Sequence, residues 1–453
     1  MTERKRRRKR IGLILALAVL LGIGGVFAVK TLQLRRLPEW MRQTQLENHQ
    51  VGTMRRIVRV RKNQAIAVAY PHLDHTEIDR QIEAAVQAQI QAFERENQGI
   101  QQFSALYADY ESCDLNGVGA SVQISFERRG AVNGKTAQSW TFDLKKDRAL
   151  GFLDLFSEAG LKHLVFLTEQ RMEAGMTEEA AAAAEQLLRQ NRAQLYLSEE
   201  EVRVLFPPST LQEQEDEVQA RIPMEKMIGY LDEQTRHQLG LQAQGRIVDP
   251  NRPMVALTYD DGPNRQVTPR ILDALKEVEG AATFFVLGSR AVNHQDLLQR
   301  MVEEGSEIGN HTFGHVDLTR QNASQILDQL DACWQVMEEM GLTIPQRLLR
   351  PTFGAYNDFL RATAPYPLIL WSVDTRDWAH QNVDRSVRMV QQTVQDGDII
   401  LMHDMYEQTA EASEQIIRWL SDQGFQLVTV SELFEARGIL LKQGEIYRCA
   451  YPS

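Results

Sequence analysis

Five short motifs between residues 258 and 404 carry side chains suited to holding a metal ion and moving protons. They read, in order, Thr258-Tyr259-Asp260-Asp261-Gly262-Pro263, His311-Thr312-Phe313-Gly314-His315, Arg350-Pro351-Thr352-Phe353-Gly354, Asp374-Thr375-Arg376-Asp377-Trp378 and Leu401-Met402-His403-Asp404. Together they supply paired carboxylates, two histidines four residues apart, an arginine, an aspartate beside a tryptophan, and a third histidine. That set contains metal ligands, a base and an acid. The motifs therefore indicate metal-assisted hydrolysis of an acyl bond.

The first two motifs contain the candidate metal ligands. Asp260 and Asp261 follow an apolar run, and neighbouring side chains at a strand end point in different directions. One carboxylate can then bind a cation while the other faces the substrate. His311 and His315 are predicted on a helical turn, where their spacing puts both imidazoles on one face. Taken singly, the aspartate pair is more often a solvated turn and the histidine pair more often binds nothing.

The other three motifs contain candidate orienting and proton-donating groups. An arginine such as Arg350 can hold a carboxylate in one orientation, although a surface ion pair is the simpler interpretation of it alone. Gly354 permits a tight turn with backbone N–H groups facing an oxyanion. Asp377 near His403 would raise the pKa of the imidazole and keep it protonated as a general acid.

Two apolar side chains in the last motifs are candidates for a substrate pocket. Trp378 and Leu401 would wall a small space suited to an acyl methyl group. As single residues, both are more often part of a core.

The motifs are placed by an alternation of strands and helices that begins at Met254. Apolar strands are predicted over 255–258, 282–286, 368–371, 399–402 and 426–428, and amphipathic helices over 268–278, 296–304, 323–340 and 410–423. This alternation predicts parallel strands joined by helices, a barrel-like α/β domain over 254–440 with a tail over 441–453. The motifs lie at or just after the strand ends, where such folds place their chemistry.

A different pattern occupies residues 51–240. Alternating apolar residues over 118–126 and 140–144, with the turn signal Asn133-Gly134 between them, predict an antiparallel hairpin. Helices are predicted after N-caps at Thr76 and Thr177, the second over residues 178–196. This region is expected to be a smaller α+β domain, joined to the barrel by a linker over 241–253. His72 and His75 are interpreted as solvated loop histidines rather than a second metal site.

The N-terminus predicts a membrane anchor. The first ten residues carry a net charge of +6, so the remaining 443 carry −17 of the whole-chain charge of −11. Residues 11–29 are uncharged and, as a helix, about 28 Å long, close to the thickness of a bilayer core. The positive-inside rule places residues 1–10 in the cytoplasm and, beyond a stalk over 30–50, the two domains outside the cell. A cleaved signal peptide is the alternative.

The acidic bulk and the sparse cysteines exclude two further classes. Phosphate backbones need a basic protein face, so nucleic acid is not an expected partner. Cys113, Cys333 and Cys449 are too few for a disulfide framework, and three separate thiols are expected.

The five motifs together resemble the NodB-type polysaccharide deacetylases, carbohydrate esterase family four. The resemblance covers roughly residues 250–435 and extends to the flanking runs 282–286 and 307–310. It implies a distorted (β/α) barrel with a divalent metal, usually zinc, with cobalt as an alternative. Tyr259, Thr352 and Phe353 depart from the usual residues of the family. The region 51–240 resembles the domain that precedes the barrel in some membrane-anchored Gram-positive peptidoglycan deacetylases.

The resemblance also implies a role for each motif residue. Asp261, His311 and His315 would bind the metal. Asp260 would be the base that activates water, oriented by Arg350. The remaining roles are an oxyanion contact from the Phe353 backbone, an acid formed by His403 with Asp377, and an acetyl pocket lined by Trp378 and Leu401.

The function implied is hydrolysis of N-acetyl groups on a cell-wall polysaccharide, most directly N-acetylglucosamine in peptidoglycan, with release of acetate. The same chemistry on N-acetylmuramic acid, chitin oligomers or O-acetyl xylan is the alternative substrate assignment. A catalytically idle wall-binding protein is a second alternative, although the chain keeps the base, the metal ligands and the acid.

Overall fold

The chain divides into two compact units, which are described separately. The computed structural model describes residues 37–42, 46, 48–172, 176–208, 210–211, 218–231, 233–241 and 246–452. The first unit comprises the residues up to Ser157 and Thr168–Gln242, and the second comprises Glu158–Leu167 and Ala243–Ser453. The anchor predicted over 11–29 lies outside the described residues. Among the residues described, none of the helices is both long and apolar enough to cross a bilayer.

The first unit contains a six-stranded sheet whose strands follow one another in chain order. The strands are β1 (Thr53–Val60), β2 (Gln64–His72), β3 (Ser104–Leu115), β4 (Gly119–Arg129), β5 (Gly134–Asp143) and β6 (Arg148–Ala149). Only the β2–β3 pair is parallel, because helix α1 (Thr76–Glu96) connects these two strands. The β4–β5 pair confirms the predicted hairpin.

Helix α1 buries the apolar face that its spacing predicted. Five side chains of this helix are almost fully buried against the sheet, namely Ile78, Ile82, Val86, Ile90 and Phe93. The predicted N-cap at Thr76 is wrong, because the helix begins at this residue and His75 makes no side-chain cap. Asp147, from the turn before β6, accepts the N–H groups of Glu77 and Ile78 at 3.0 and 3.1 Å instead. A carboxylate 70 residues away satisfies the positive helix end.

The rest of the first unit is a three-stranded antiparallel sheet and short helices. Helix α2 (Glu158–Glu169) belongs to the second unit as far as Leu167. The elements of the first unit are α3 (Glu178–Arg189), β7 (Gln194–Leu197), β8 (Glu201–Phe206), β9 (Val218–Pro223), α4 (Met224–Met227) and α5 (Glu233–Leu239). The Thr177 hydroxyl accepts the Ala180 N–H at 3.2 Å, which confirms the second N-cap. The predicted extension of α3 to Tyr196 is wrong. The chain turns through Asn191, which has a φ of 52°, and then pairs as β7.

The predicted half-buried character of strand β4 is also incomplete. Its apolar face packs on α1, but its other face is buried too, because β7 lies against it. Ser121 on that face accepts the backbone N–H of Leu197 at 3.0 Å, and Thr141 of the neighbouring strand donates to Leu195 at 3.3 Å. These hydrogen bonds satisfy polar groups that the alternation had assigned to solvent.

The second unit has the predicted alternation of strands and helices. Its strands are β10 (Met254–Asp260), β11 (Thr283–Val286), β12 (Glu307–Asn310), β13 (Leu368–Ile369), β14 (Val373–Asp374), β15 (Ile399–His403), β16 (Gln426–Val428) and β17 (Ile446–Tyr447). Its helices are α6 (Thr268–Glu277), α7 (Gly288–Ala291), α8 (Gln295–Glu303), α9 (Ala323–Glu339), α10 (Asp358–Thr363), α11 (Asp377–His380), α12 (Val383–Thr393), α13 (Glu407–Asp422) and α14 (Val430–Ala436). The four predicted helices correspond to α6, α8, α9 and α13.

The strands of the second unit are parallel and bring all the motifs to one edge. The main sheet has the order β12-β11-β10-β15-β14, with β16 beside the first half of β10. Leu349 forms one isolated bridge with Asn310 and another with Leu368. Leu368 is the first residue of β13, which pairs with β17 outside the main sheet. None of the sheets among the described residues closes on itself. The α/β class is therefore confirmed, with open sheets where a barrel was expected.

The three cysteines are unpaired, as predicted. Cys113 and Cys333 are buried, and Cys449 is partly exposed. Burial raises the pKa of the Cys113 thiol to about 11 and that of Cys333 to about 12, so both remain neutral thiols.

Candidate active site and metal centre

Five chain segments meet at the carboxyl edge of the parallel sheet. Strand β10 ends at Asp260, and its register places this residue opposite His403, the last residue of β15. His311 directly follows β12, and Arg350 follows the bridge at Leu349. Parallel pairing thus gathers side chains that are far apart in the sequence.

Asp261, His311 and His315 form a compact cluster of metal-ligand atoms. The Asp261 Oδ1 atom lies 3.6 Å from His311 Nε2 and 3.2 Å from His315 Nε2. The three ligand atoms lie within 4.8 Å of one another, and no other such cluster of histidine, cysteine and acidic residues occurs in the described part of the chain. In particular, neither His72 nor His75 belongs to one.

The donor set fits a divalent metal. Asp261 Oδ1 is buried and has no hydrogen-bond partner among the described residues, so an oxygen lone pair is left for a cation. His311 Nδ1 lies 2.8 Å from the Arg350 carbonyl, which fixes the proton on Nδ1 and leaves Nε2 free to ligate. Burial holds the pKa of His311 below its ordinary value despite the nearby carboxylates, which favours the neutral ligating form.

The predicted helical turn between the two histidines is wrong. Residues 311–315 form a loop, in which Thr312 and His315 have left-handed φ values of 71° and 56°. Asn310 accepts the Thr312 N–H at 2.8 Å, and the Thr312 hydroxyl accepts the His315 N–H at 3.0 Å. These local hydrogen bonds replace the helix and still bring the two rings to a centroid distance of 5.4 Å.

Arg350 and Asp260 form a buried ion pair next to the cluster. Arg350 Nη1 donates to Asp260 Oδ1 at 2.8 Å, and both side chains are nearly inaccessible to solvent. The other Asp260 oxygen, Oδ2, lies 3.8 Å from His311 Nε2. Asp260 therefore presents one oxygen to the arginine and the other toward the metal cluster.

The Arg350 guanidinium is held by more partners than the sequence indicated. It also donates to the Thr258 hydroxyl at 2.7 Å and to the carbonyls of Ile369 and Leu370 at 3.1 and 3.0 Å. The ring of Phe285 stacks over it at 4.1 Å. Thr258 stood inside the first motif without an assigned role, and only the folded strand β10 shows its function. Buried charges need such complete pairing to be tolerated.

His403 and Asp377 form the second predicted pair. Asp377 Oδ1 lies 2.9 Å from His403 Nδ1, and Oδ2 accepts the His403 backbone N–H at 2.8 Å. Burial lowers the pKa of His403, but the hydrogen bond and charge of Asp377, followed by the charges of Asp260 and Asp261, outweigh it and raise the pKa to about 9. The imidazole is therefore protonated at neutral pH, with Nε2–H free of Asp377.

Two hydroxyl groups that the sequence did not single out complete the Asp377 environment. Thr409 donates to Asp377 Oδ2 at 2.6 Å, and Thr375 lies 3.3 Å from Oδ1. Thr375 belongs to the fourth motif, but the sequence assigned it no role. Thr409 lies on α13, and nothing in the sequence near it suggested a contact with Asp377.

The candidate pocket residues differ in exposure. Leu401 is buried in β15 and Trp378 is half-exposed at the start of α11. Phe353 is exposed, adopts a left-handed φ of 62°, and packs edge-on against His315 at 4.7 Å between ring centroids. A left-handed non-glycine residue is uncommon and often marks a functional loop.

The chain is similar in sequence to several known proteins. The sequence profile described as polysaccharide deacetylase matches residues 247–365. The peptidoglycan-N-acetylmuramic acid deacetylase PdaC of Bacillus subtilis is 29% identical over 95% of this chain and 98% of its own length. A peptidoglycan-N-acetylglucosamine deacetylase of Bacillus cereus is 36% identical over 41% of this chain and 90% of its own.

A solved structure is also similar to part of the chain. The structure titled peptidoglycan deacetylase PdaC from Bacillus subtilis is 45% identical, covers 42% of this chain and 93% of the solved chain, and has a TM-score of 0.41. The sequence of the Bacillus cereus enzyme is more than 30% identical and is matched over most of its length. The chain belongs to the polysaccharide deacetylase family.

Proposed function

We propose that the chain hydrolyses N-acetyl groups on peptidoglycan amino sugars and releases acetate. The observation that supports this most directly is the cluster of Asp261, His311 and His315 flanked by two differently paired groups. Asp260 is a carboxylate held by Arg350, and His403 is a protonated imidazole at the paired position of the neighbouring strand. A base and an acid at the same sheet edge as the candidate metal ligands suit amide hydrolysis.

The chain's own residues would act on the two protons of the reaction. Asp260 takes a proton from the attacking water while the oxygen of that water bonds to the acetyl carbon. His403 gives its Nε2 proton to the amide nitrogen as the C–N bond breaks, so acetate and a free amine result. Arg350 keeps the Asp260 carboxylate oriented, and Asp377 keeps His403 protonated and oriented.

Asp261, His311 and His315 would hold the metal, which we propose to be zinc, with cobalt as an alternative. Two imidazole nitrogens and one carboxylate oxygen are the ligand set of many open zinc sites. When bound, the cation supplies Lewis acidity toward the acetyl oxygen and toward water.

Three other residues are proposed to shape the substrate space. The Phe353 backbone N–H would contact the developing oxyanion, and Trp378 with Leu401 would enclose the acetyl methyl group. The left-handed turn at Phe353 and its contact with His315 support the first of these roles.

Two amino sugars are candidate substrates. N-acetylglucosamine is supported by the Bacillus cereus relative, whose similarity covers 41% of this chain. N-acetylmuramic acid is supported by PdaC, which is similar along nearly the whole chain. Mass spectrometry of muropeptides after incubation distinguishes the two sugars. Loss of an acetyl group changes the mass of either sugar by the same amount, but the change appears in a different fragment for each sugar.

The predicted location and architecture are also proposed. Residues 11–29 would anchor the chain in the cell membrane, with residues 1–10 cytoplasmic and both units outside. The bridges at Leu349, which lie between β12 and β13, support the distorted barrel that the resemblance implies. Attachment is tested by fractionating cells that express the full chain, where recovery in the soluble fraction would contradict the anchor.

The assigned base is tested with Asp260→Asn. The amide keeps the size of the side chain and an oxygen for Arg350, so the chain should still fold and bind metal, with a lower free energy of unfolding because Arg350 loses its counter-charge. We expect acetate release to fall by about 10²–10⁴-fold, the usual contribution of a general base. The control is Asp296→Asn, a solvent-exposed aspartate paired with Arg265. Wild-type turnover by the Asp260 variant would contradict the role.

A further inference from the structure

Three exposed aromatic residues lie in the seven-residue segment 353–359, which begins within the third motif. Phe353, Tyr356 and Phe359, here called the aromatic rim, are 67%, 40% and 51% exposed. Among the described residues, only three other aromatic side chains are exposed to this extent, namely Phe103, Trp378 and Tyr451. A concentration of apolar side chains in water is unfavourable unless a ligand covers it.

The rim is carried by a loop that is fixed to the loop of the metal ligands. The Thr352 hydroxyl donates at 2.5 Å to the carbonyl of Val316, the residue that follows His315. Further along, Asn357 Nδ2 donates to the Thr319 carbonyl at 3.5 Å. The two segments therefore run beside each other, away from the metal cluster.

The two ends of the rim are also fixed. Phe353 contacts the ring of His315, so one end lies at the metal cluster. At the other end, Asn357 caps helix α10 by accepting the Leu360 N–H at 2.8 Å, and this helix packs against the turn at 318–320. The backbone between Phe353 and Phe359 spans at most about 20 Å, so one extended oligosaccharide can reach the whole rim.

Fold stability does not account for the rim. Thr352 precedes the segment and Leu360 follows it, and both side chains are fully buried, so they hold the segment against the protein interior. The three aromatic rings project outward from a segment that is already held. Hexosamine rings have apolar C–H faces that pack on aromatic rings, while their hydroxyls remain in water, so a glycan chain matches both the apolar surface and its exposure.

We propose that Tyr356 and Phe359 stack on the sugars that flank the acetylated residue and so make the enzyme favour long glycan strands. This inference rests on the proposed function, since it takes the metal cluster as the point where the acetyl group is bound. It assigns a binding role to two residues outside the five motifs.

The test compares glycan strands of different length. The double variant Tyr356→Ala/Phe359→Ala of the full chain is assayed for acetate release from peptidoglycan disaccharides and from strands of about eight sugars or more. We expect kcat/KM on the long strands to fall about tenfold, mainly through KM, because stacking binds ground and transition states alike. On the disaccharide the change should stay below about twofold, since no flanking sugar reaches the rim.

Two further variants separate stacking from structural damage. Tyr356→Phe/Phe359→Tyr keeps both rings and should retain the wild-type preference for length. Phe103→Ala removes an equally exposed aromatic side chain of the first unit and should change nothing. An equal loss on short and long substrates, or no loss on either, would overturn the proposal.

A binding measurement separates this proposal from the proposed function. If the wild-type chain releases no acetate from any strand, the proposed function fails. The rim is then tested by sedimentation with insoluble peptidoglycan, where the double alanine variant should pellet less than wild type and Phe103→Ala should pellet equally. Equal pelleting of all three would refute the rim as a glycan surface.

Discussion

Substitution of Asp377 by Asn tests whether this carboxylate controls the protonation of His403. Asp377 accepts both the ring and backbone N–H groups of His403, at 2.9 and 2.8 Å. The asparagine keeps the size of the side chain but removes its charge. The contribution that most raises the pKa of His403 is then lost, while burial, which lowers it, remains.

The size of the effect follows from the pKa values. His403 has a pKa of about 9 in the folded chain, against about 6.5 for an unperturbed histidine. This net shift corresponds to about 3 kcal/mol of preference for the protonated form in the folded chain. In the variant the pKa should fall to about 6.5 or below, so the protonated fraction drops about tenfold at pH 7.5 and over about fiftyfold at pH 8.5.

The sign of the pH dependence is fixed by the direction of the shift. A folded-state pKa above the unfolded value contributes stability that is complete below about pH 6.5 and is lost as the pH rises through about 9. The metal-free wild-type chain should therefore lose stability between these pH values. Metal-free Asp377→Asn should lack this component.

Two measurements check the reasoning. In the metal-free full chain, an NMR titration of the His403 ring should show a midpoint near 9 for wild type and a lower one for Asp377→Asn. In the metal-loaded enzyme, the alkaline limb of the kcat/KM pH profile should lie at lower pH in the variant than in wild type. The positive charge of the cation lowers the pKa of His403 in both proteins. Asp374→Asn, in the same motif, is the control. An unmoved limb, or a loss of rate that is uniform across pH, would refute the role.

Two more substitutions test the metal cluster and the buried arginine. His311→Ala removes one ligand and the hydrogen bond to Arg350, so metal content after dialysis should fall by at least about tenfold, whereas His294→Ala, outside the cluster, should retain metal. Equal metal content in both variants would contradict the ligand assignment. Arg350→Met leaves Asp260 buried without its partner and should lower the free energy of unfolding by about 3–5 kcal/mol, measured by denaturant titration. Arg265→Met breaks only an exposed pair and should cost less than about 1 kcal/mol, and a similar cost for both would show that Arg350 is not holding a buried charge.

Local pattern predicted the two longest helices of the second unit and five of its eight described strands. Helices α6, α8, α9 and α13 begin and end within a few residues of their predicted bounds, because each has a long apolar stripe. Strand β12 was not predicted, although the run 307–310 was noted in the family resemblance, since its sequence Glu-Ile-Gly-Asn has little strand propensity. It forms because β11 pairs with it along the edge of the sheet.

Errors arose where a distant residue or a local side-chain contact overrode the pattern. The start of helix α1 is capped by Asp147 rather than Thr76, and no local rule indicates a partner 70 residues away. The histidine pair follows the spacing of a helix, but Asn310 and Thr312 hold it in a loop. Both outcomes satisfy backbone groups in ways that spacing alone does not specify.

The sequence by itself determined which chemical groups this protein has and their order along the chain. Asp260, Asp261, His311 and His403 were identified from residue type and spacing. Tertiary structure decided which of these groups touch, because the parallel register that sets Asp260 opposite His403 arises only when strands β10 and β15 pair. It also decided their charges, since the protonated state of His403 depends on burial and on a neighbouring carboxylate that only the folded chain brings within hydrogen-bonding distance.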